Sequence, residues 1–536
     1  MPFGWSQNKL LLVGGNVLLG VVLIALSNAH VLPLDGVNFT FFSFVLLLFS
    51  LYRPGWAFLI FVGVIPFENI NLAPLAWGFD LRPYQWVALL LFVAVILRVI
   101  GRKLSFDLVR PRWFDWLLLV VPLGAFLGAL YAPDPGAALK QAIVILSFGL
   151  VYAIGRIFWQ SEEDVRQAIP FFLSSSLVVC GYALWQNVRF LEGLSSYQAM
   201  SGRPNATFSE ADWLGMFVIV VLSLLWALVV KNTADFSSEQ GESLPLLDMA
   251  RAQMKRRAFW FFFVFQIFAL IILLISVSRS AWLGAGAATL GMGLAILLSQ
   301  GWGARSILLR QATFFFLSAG LAGMVAVIAV LSFHLTTFQL FSRAQSATSG
   351  LQKITVSCER EIKLPEKIES IEKLTELGCR HIRLEEIESE QLLGMFVGET
   401  KRDDPNVVIR KRIYAVTLGL IREHPLLGIG WGSAGAFLGT DERGAGLNAS
   451  DMFLEIWLGS GIIGLVAFSL FWFSVIACTL YQFFRGAPSG RPLLSFVMAL
   501  WFGIIVFNLF NSGILLGFFF LYLALGALIL ERPKTL

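Results

Sequence analysis

Two arginines and two carboxylates are the side chains of this sequence best placed to do chemistry. Arg203 lies in Gly202-Arg203-Pro204-Asn205-Ala206-Thr207-Phe208, just ahead of an apolar run, and Arg279 forms the centre of the short turn Ser278-Arg279-Ser280 between two others. A lone guanidinium at a membrane edge can simply snorkel to lipid headgroups. Two of them on turns facing the same side, each among small or polar residues, fit phosphate better, because a planar fork of N–H donors matches phosphate oxygens. A membrane-embedded diphosphate is the ligand this pattern predicts. The carboxylates are Asp451 and Glu455, in Asn448-Ala449-Ser450-Asp451-Met452-Phe453-Leu454-Glu455, which opens another apolar run. Four residues apart, they share one helix face. Helix capping accounts for Ser450 or Asp451 without any further role. Glu455, inside the apolar run, needs a partner or a task.

The remaining candidates are weaker. Arg412-Ile413-Tyr414 and Glu423-His424-Pro425-Leu426-Leu427-Gly428-Ile429-Gly430 are too dense in charge and glycine to be mere connection. His424 can help shape a site, whereas His30 and His334 near span ends and His381 in a polar segment read as structural. There is no Walker loop, zinc-ligand spacing or serine-nucleophile elbow, so nothing in the sequence argues for a metal or another cofactor.

The elements that must position these residues are membrane spans. Over 536 residues, 57% are hydrophobic and 14% charged, and the mean hydropathy of +0.75 lies far outside the range of a soluble domain. The net charge of +5 is placed by topology. Basic residues gather at Arg98 to Arg112, at Arg156 and Arg166, at Lys231 and Arg251 to Arg257, at Arg305 and Arg310, at Arg485 and Arg491, and at Arg532 and Lys534, while the alternate connections carry almost none. This is the positive-inside bias, which puts both termini in the cytoplasm and accounts for the basic excess without nucleic acid. The first apolar run, from about Leu10, reads as a span and not as a removed signal peptide.

Apolar runs fall near 10–28, 38–52, 55–66, 84–99, 113–131, 140–158, 167–187, 212–230, 258–276, 281–299, 312–333, 453–482, 493–511 and 513–531. The second and third are broken at Arg53-Pro54-Gly55, and the last two at Asn511-Ser512-Gly513. Either pair could be a hairpin that does not fully cross. The expected fold is an all-α polytopic membrane protein of about 12–14 transmembrane helices, with one large extracytoplasmic loop holding a small inserted β-α-β domain. Residues 1–333 supply about eleven spans and 453–536 the C-terminal ones. The large loop is 334–452, with an inserted α/β domain over 351–405 and a motif-bearing segment over 406–452. Within the insertion, Ile354 to Cys358 alternates as a strand. Pro365 to Leu377 has Ile368, Ile371, Leu374 and Leu377 at helical spacing, with Glu369 and Lys373 at i,i+4, and His381 to Glu385 alternates again. Asp403 to Asn406 reads as a turn and Ile413 to Ile421 as an amphipathic helix ending near Pro425. Cys358 and Cys379 can pair as a disulfide if the loop is extracytoplasmic. Asn232 to Gln253 reads as a flexible linker.

In order, spacing and side of the membrane, these pieces resemble the O-antigen ligase and O-antigen polymerase superfamily of bacterial envelope glycosyltransferases. The resemblance runs from about Gly202 to Gly464. It is carried by Gly202-Arg203 to Phe208, by Ser278-Arg279-Ser280, by Arg343 to Gly350 resuming at Arg412 and Glu423 to Gly430, and by Leu454 with Gly461 and Gly464. In that family the last motif begins with His-Asn ahead of the leucine, and those positions are Ser450 and Asp451 here. The family histidine is absent. Asp451 is the best substitute as the group that activates the acceptor hydroxyl, Glu455 the next and His424 the third. The insertion between Gly350 and Arg412 is an addition to the usual loop.

The resemblance implies a metal-independent glycosyltransferase in the bacterial cytoplasmic (inner) membrane, active in cell-envelope polysaccharide synthesis. Its donor would be a glycan on undecaprenyl diphosphate, and its acceptor a glycan, lipid or protein hydroxyl at the outer face. Arg203 and Arg279 would hold the diphosphate, Asp451 or Glu455 would take the acceptor proton, and Arg412, His424 and Ser450 would contact glycan or acceptor. A polymerase, whose acceptor is another lipid-linked repeat, needs the same diphosphate site. A transporter or flippase of lipid-linked sugars would instead show broken helices with charge near mid-bilayer, and a scaffold that has lost catalysis would lack the base.

Overall fold

The computed structural model describes residues 9–240, 253–299, 305–338, 340–341, 350–369, 371–382, 386–440, 444, 446–485 and 491–531. Among the described residues, eleven α-helices of 11 residues or more precede the insertion: α1 Lys9–Asn28, α2 Gly36–Tyr52, α3 Pro54–Val64, α4 Pro83–Ile100, α5 Trp113–Ala129, α6 Pro135–Phe158, α7 Glu162–Leu191, α8 Ala211–Gln240, α9 Arg257–Ile275, α10 Arg279–Leu298 and α11 Arg305–Ser332. The insertion holds β1 Leu351–Cys358, β2 Lys367–Ile368, α12 Glu372–Glu376, β3 Cys379–His381, α13 Ile387–Leu392 and β4 Phe396–Asp403. After it come α14 Pro405–Glu423, α15 Ala434–Leu438, α16 Met452–Arg485, α17 Arg491–Asn508 and α18 Gly517–Glu531.

The protein is a polytopic helical membrane protein, and each of the fourteen apolar runs folds as a helix. Among the described residues, ten of these helices are long and apolar enough to cross a bilayer, while α2, α3, α5 and α18 are shorter. The 11 residues of α3 rise only about 16 Å, against a hydrocarbon core of about 30 Å. Burial explains the mismatch for two of them. Phe58, Phe61 and Val62 of α3 and every residue of α18 from Gly517 to Ile529 are buried, so protein surrounds these helices where lipid would otherwise set their length. Breaks between helices follow local rules: Asp134 accepts from Ala137 N at 3.0 Å ahead of Pro135 at the first turn of α6, satisfying a donor that the helix leaves free.

Alternation of the helices separates two ends of the bundle. One end carries the insertion, with the connections 65–82, 192–210, 276–278 and 509–516. The opposite end carries the basic clusters and a buried charge network: Arg156 Nε donates to Asp115 Oδ1 at 3.1 Å and its Nη1 to Glu531 Oε2 at 3.2 Å, while Arg112 Nε reaches Glu531 Oε1 at 3.5 Å. Arg156, 5% exposed, also lies over the Phe114 ring. One guanidinium thus ties α5, α6 and α18 together.

The insertion is richer than a β-α-β unit. Its sheet runs β2-β4-β1-β3, with β1 antiparallel to β3 and β4, and β2 parallel to β4. Cys358 and Cys379, paired across β1 and β3, are joined by a disulfide. The helix expected over Pro365 to Leu377 is confined to Glu372–Glu376, because Ile368 is drawn into the parallel β2–β4 pairing. Ile368 and Leu374 are buried with Ile354 and Val356, while Ile371 and Leu377 are exposed; the helical spacing was a coincidence of one strand residue and one helix residue facing the same core. Residues 383–385, at the end of the second alternating stretch, and 241–252 of the linker lie outside the described residues. The expected turn at Asp403 to Asn406 instead starts α14, with Pro405 at its first position, where a missing N–H costs nothing.

Replacing Arg156 by leucine leaves Asp115 and Glu531 without their shared cation, which costs about 3–5 kcal/mol when a buried pair is broken from one side. The expected result is a clearly lowered unfolding temperature in detergent for Arg156→Leu, with a smaller loss for Arg112→Leu, whose side chain is more exposed.

Candidate functional site

At the insertion end, charge is gathered from segments far apart in sequence. Arg203 Nε donates to Ser276 O at 3.0 Å and its Nη2 pairs with Asp212 Oδ1 at 3.2 Å. Ser278 Oγ donates to the same Asp212 oxygen at 2.5 Å, and Asn511 Nδ2 donates to Ser280 Oγ at 2.6 Å. Arg279, between the two serines, pairs with Asp404 at the junction of β4 and α14. Arg410, one turn into α14, stacks over Phe510 at 5.7 Å and lies within electrostatic reach of Asp212, Arg279 and Asp404. Burial and the neighbouring Arg279 lower its pKa, yet a guanidinium keeps its proton. Among the described residues named here, the charged side chains are the guanidiniums of Arg203, Arg279 and Arg410 and the carboxylates of Asp212 and Asp404, an arrangement suited to an anion with several oxygens.

Beside this cluster lies a cavity of about 270 Å³. It is lined from the 65–82 connection by Glu68, Asn69 and Arg82, from α6 by Gln141, from the start of α8 by Trp213, and from the large loop and α16 by Trp431, Asn448 and Glu455, with Ser512 from the last turn. Trp213 follows Asp212 and Ser512 follows Asn511, so the cavity and the arginines share two walls. Glu455, 9% exposed, accepts from Ala449 N through Oε2 at 2.7 Å. Asp451 is engaged differently. Its Oδ1 accepts from Phe453 N and Leu454 N, both at 2.9 Å, capping α16. Burial raises its carboxyl pKa against the lowering effect of those two bonds.

The start of α16 is held by the glycine-rich segment after α14. α16 is interrupted at Gly461, whose φ of 68° and ψ of −178° belong to a region that glycine alone occupies readily. A Cβ there would lie 1.9 Å from Leu426 O, and one on Gly428, φ +70°, would lie 2.1 Å from Leu458 O. The two backbones therefore touch. Ile429 N donates to Leu458 O at 2.8 Å and Ile462 N to Pro425 O at 3.2 Å, while Trp457 Nε1 donates to Pro425 O and Trp431 Nε1 to Ser460 Oγ. Ser460 Oγ in turn donates to Val121 O of α5 at 2.8 Å. Glu423 to Gly430 thus acts as a wedge that fixes the half-helix Met452–Ser460 bearing Glu455.

Of the residues singled out from sequence, Arg203 and Arg279 enter one charge cluster, and Glu455 lines the adjacent cavity. Ser450, at φ 53°, contributes its carbonyl to the Tyr414 hydroxyl at 3.4 Å. Arg412 and His424 are exposed. The helix explains why Arg410 replaces Arg412 at the cluster: two residues differ by about 200° around the axis, so they face opposite ways. Arg343 lies outside the described residues. Sequence reading missed Asp212, Asp404 and Arg410, and also the pair Glu68–Arg82 at 2.9 Å. The connection 65–82 holds Glu68, Asp80 and Arg82, and spacing alone does not say which carboxylate Arg82 takes.

Residues 263–469 match the family described as O-antigen ligase. The chain carries an O-antigen ligase domain. The matched segment of this ligase domain takes in Arg279, Asp404, Arg410, the glycine wedge and Glu455, whereas Arg203, Asp212, Glu68 and Arg82 come from helices and connections before it. No curated protein matches the chain.

Gly461→Ala and Gly428→Ala are expected to destabilise the ligase domain by more than the ordinary Gly-to-Ala change, since each adds left-handed strain of about 1–3 kcal/mol to a backbone clash. Thermal unfolding of the two variants beside Gly419→Ala, where a Cβ meets open space, checks this.

Proposed function

We propose that the chain is a membrane glycosyltransferase that moves a glycan from undecaprenyl diphosphate to an acceptor hydroxyl at the outer face of the cytoplasmic membrane. The observation that carries this reading is the juxtaposition, at one end of a membrane bundle, of a net-positive arginine cluster and a carboxylate-lined cavity sharing its walls. The short basic loops gather at the other end, which by the positive-inside bias supports an outer position for the insertion end. A lipid-linked diphosphate would reach the cluster from the bilayer, its oxygens taking guanidinium N–H groups of Arg203, Arg279 and Arg410.

As the bond between the anomeric carbon and the phosphate oxygen breaks, its electron pair goes to the diphosphate. Fixed cations there stabilise the transition state more than the ground state. The acceptor oxygen forms the new bond to the anomeric carbon, and Glu455 takes its proton. Asp451 serves this scheme by capping the helix that carries Glu455. Arg412 and His424, both exposed, would contact the glycan or acceptor where it extends beyond the cluster. A polymerase would use the same steps with a second lipid-linked repeat as acceptor.

The test is release of undecaprenyl diphosphate and transfer of labelled glycan by the purified full chain. Arg279→Ala is expected to lower the rate about 10²–10³-fold, the usual loss when one preorganised donor to a developing charge is removed. Glu455→Gln is expected to lower it about 10²–10⁴-fold. Asp451→Asn should remain within a few fold of wild type, since asparagine caps a helix as well as aspartate. If Glu455→Gln is fully active and Asp451→Asn is dead, the assignment of the base is wrong; if wild type binds the carrier and transfers nothing to any acceptor, the transferase reading falls.

A further inference from the structure

We infer that the 270 Å³ cavity is a subsite for a single sugar ring that bears no carboxylate or phosphate, an inference that rests on the transferase reading above. Its size lies just below the range of about 300–1,000 Å³ typical of drug-sized ligands, which suits one ring and not an oligosaccharide. Unlike the neighbouring cluster, its described lining carries no excess of positive charge. Two carboxylates, Glu68 and Glu455, face one guanidinium, Arg82, and that guanidinium is already paired with Glu68 at 2.9 Å.

The Glu68–Arg82 pair is built not to rearrange. Glu68 Oε2 accepts from the Tyr84 hydroxyl at 2.8 Å and Oε1 from Gly517 N at 2.5 Å, while Arg82 Nη1 donates to Tyr84 Oη at 3.0 Å. Glu68 is 5% exposed and Tyr84 fully buried. Burying such a pair carries a desolvation cost that apolar residues of similar volume would avoid, so its place at a cavity wall points to a polar ligand. An anionic ligand would meet fixed negative charge and a guanidinium whose charge is already met. Hydroxyls fit better, because the lining residues Asn69 and Gln141 each carry an amide donor beside an amide acceptor, and Asn448, whose Oδ1 accepts from Ser450 N, keeps its amide N–H groups as donors. Trp213 and Trp431 also line the cavity; Trp431 is buried and locked by its bond to Ser460, which leaves the partly exposed Trp213 as the aromatic surface against which the C–H face of a pyranose can pack. A diphosphate on the arginines and a neutral or amino sugar in the cavity would thus be recognised by complementary charge.

The test uses the full chain in lipid nanodiscs and saturation-transfer-difference NMR with three free probes: methyl glucoside, N-acetylglucosamine and glucuronic acid. The two neutral sugars are expected to bind at least about tenfold better than glucuronate, as like-charge juxtaposition dictates. Glu68→Gln should narrow that preference, and Gln141→Lys, which lies outside the ion pair, should reverse it even if Glu68→Gln fails to fold. Equal binding of all three probes, no signal from any of them, or a preference unmoved by Gln141→Lys overturns the subsite. Because free sugars need no donor, the outcomes separate. Selective sugar binding by a chain that transfers no glycan would overturn the transferase reading alone, and transfer without selectivity would overturn the subsite alone.

Discussion

The contact between the glycine wedge and the break in α16 is the one on which the insertion end depends. A continuous helix through Gly461 would satisfy its own backbone and have no need of the loop. With the break, the N–H of Ile462 and the carbonyl of Leu458 require partners, and Pro425 O and Ile429 N supply them. In a membrane bundle this is close to obligatory, because unpaired backbone groups find no water there. The consequence reaches the site directly: Glu455 stands on the short half-helix between Asp451, which caps it, and Gly461, where it ends. The same filling of the break bears on a transporter reading, in which unwound backbone carbonyls would face an ion. Here Leu426 O lies against Gly461 itself.

Charge at this end is divided by function. The arginine cluster holds its cations apart with Asp212 and Asp404, so the guanidiniums are oriented before any ligand arrives and little reorganisation is left for the reaction to drive. Among the described residues, three cations against two anions would leave a positive field for an anionic ligand. Next to it, the Glu68–Arg82–Glu455 cavity is neutral to negative. The two environments, one positive and one neutral to negative, meet at Asp212-Trp213 and Asn511-Ser512, which would orient a molecule with an anionic head and an uncharged body in one way and not the other.

The fold was legible where one physical rule dominates. Hydropathy located all fourteen helices, since a span must be apolar along its length whatever it packs against. Charge alternation ordered them. In the insertion the rule changes, for Ile368 and Leu374 share a core from different element types, and one-dimensional spacing cannot distinguish that from a helix face. The site was legible where a charge stood alone in apolar or glycine-rich surroundings, as at Arg203, Arg279 and Glu455. It was illegible where several charges lay together. Arg410, Lys411 and Arg412 look alike in sequence, and the phase of α14, set by burial of Ile413, Thr417, Leu420 and Ile421, decides which of them turns to the cluster. Glu68 and Arg82 become a pair only through the fold of their own connection.

The module between Gly350 and Asp404 is joined to the rest of the chain at one place. Its two ends meet: Asp404 N donates to Gly350 O at 2.9 Å, and β1 and β4, which begin and end it, are paired from Leu351 with Asp403 to Cys358 with Phe396. The chain therefore leaves and returns at one point, and the disulfide between β1 and β3 binds the module to itself and to no helix of the bundle. That point is not neutral ground. Asp404, the last residue before α14, is the carboxylate paired with Arg279, and α14 carries Arg410 and Tyr414. The module is mounted where a rigid exit helps to hold the arginine cluster. The family match runs through the module, over residues 263–469, and so takes in both partners of the Arg279–Asp404 pair.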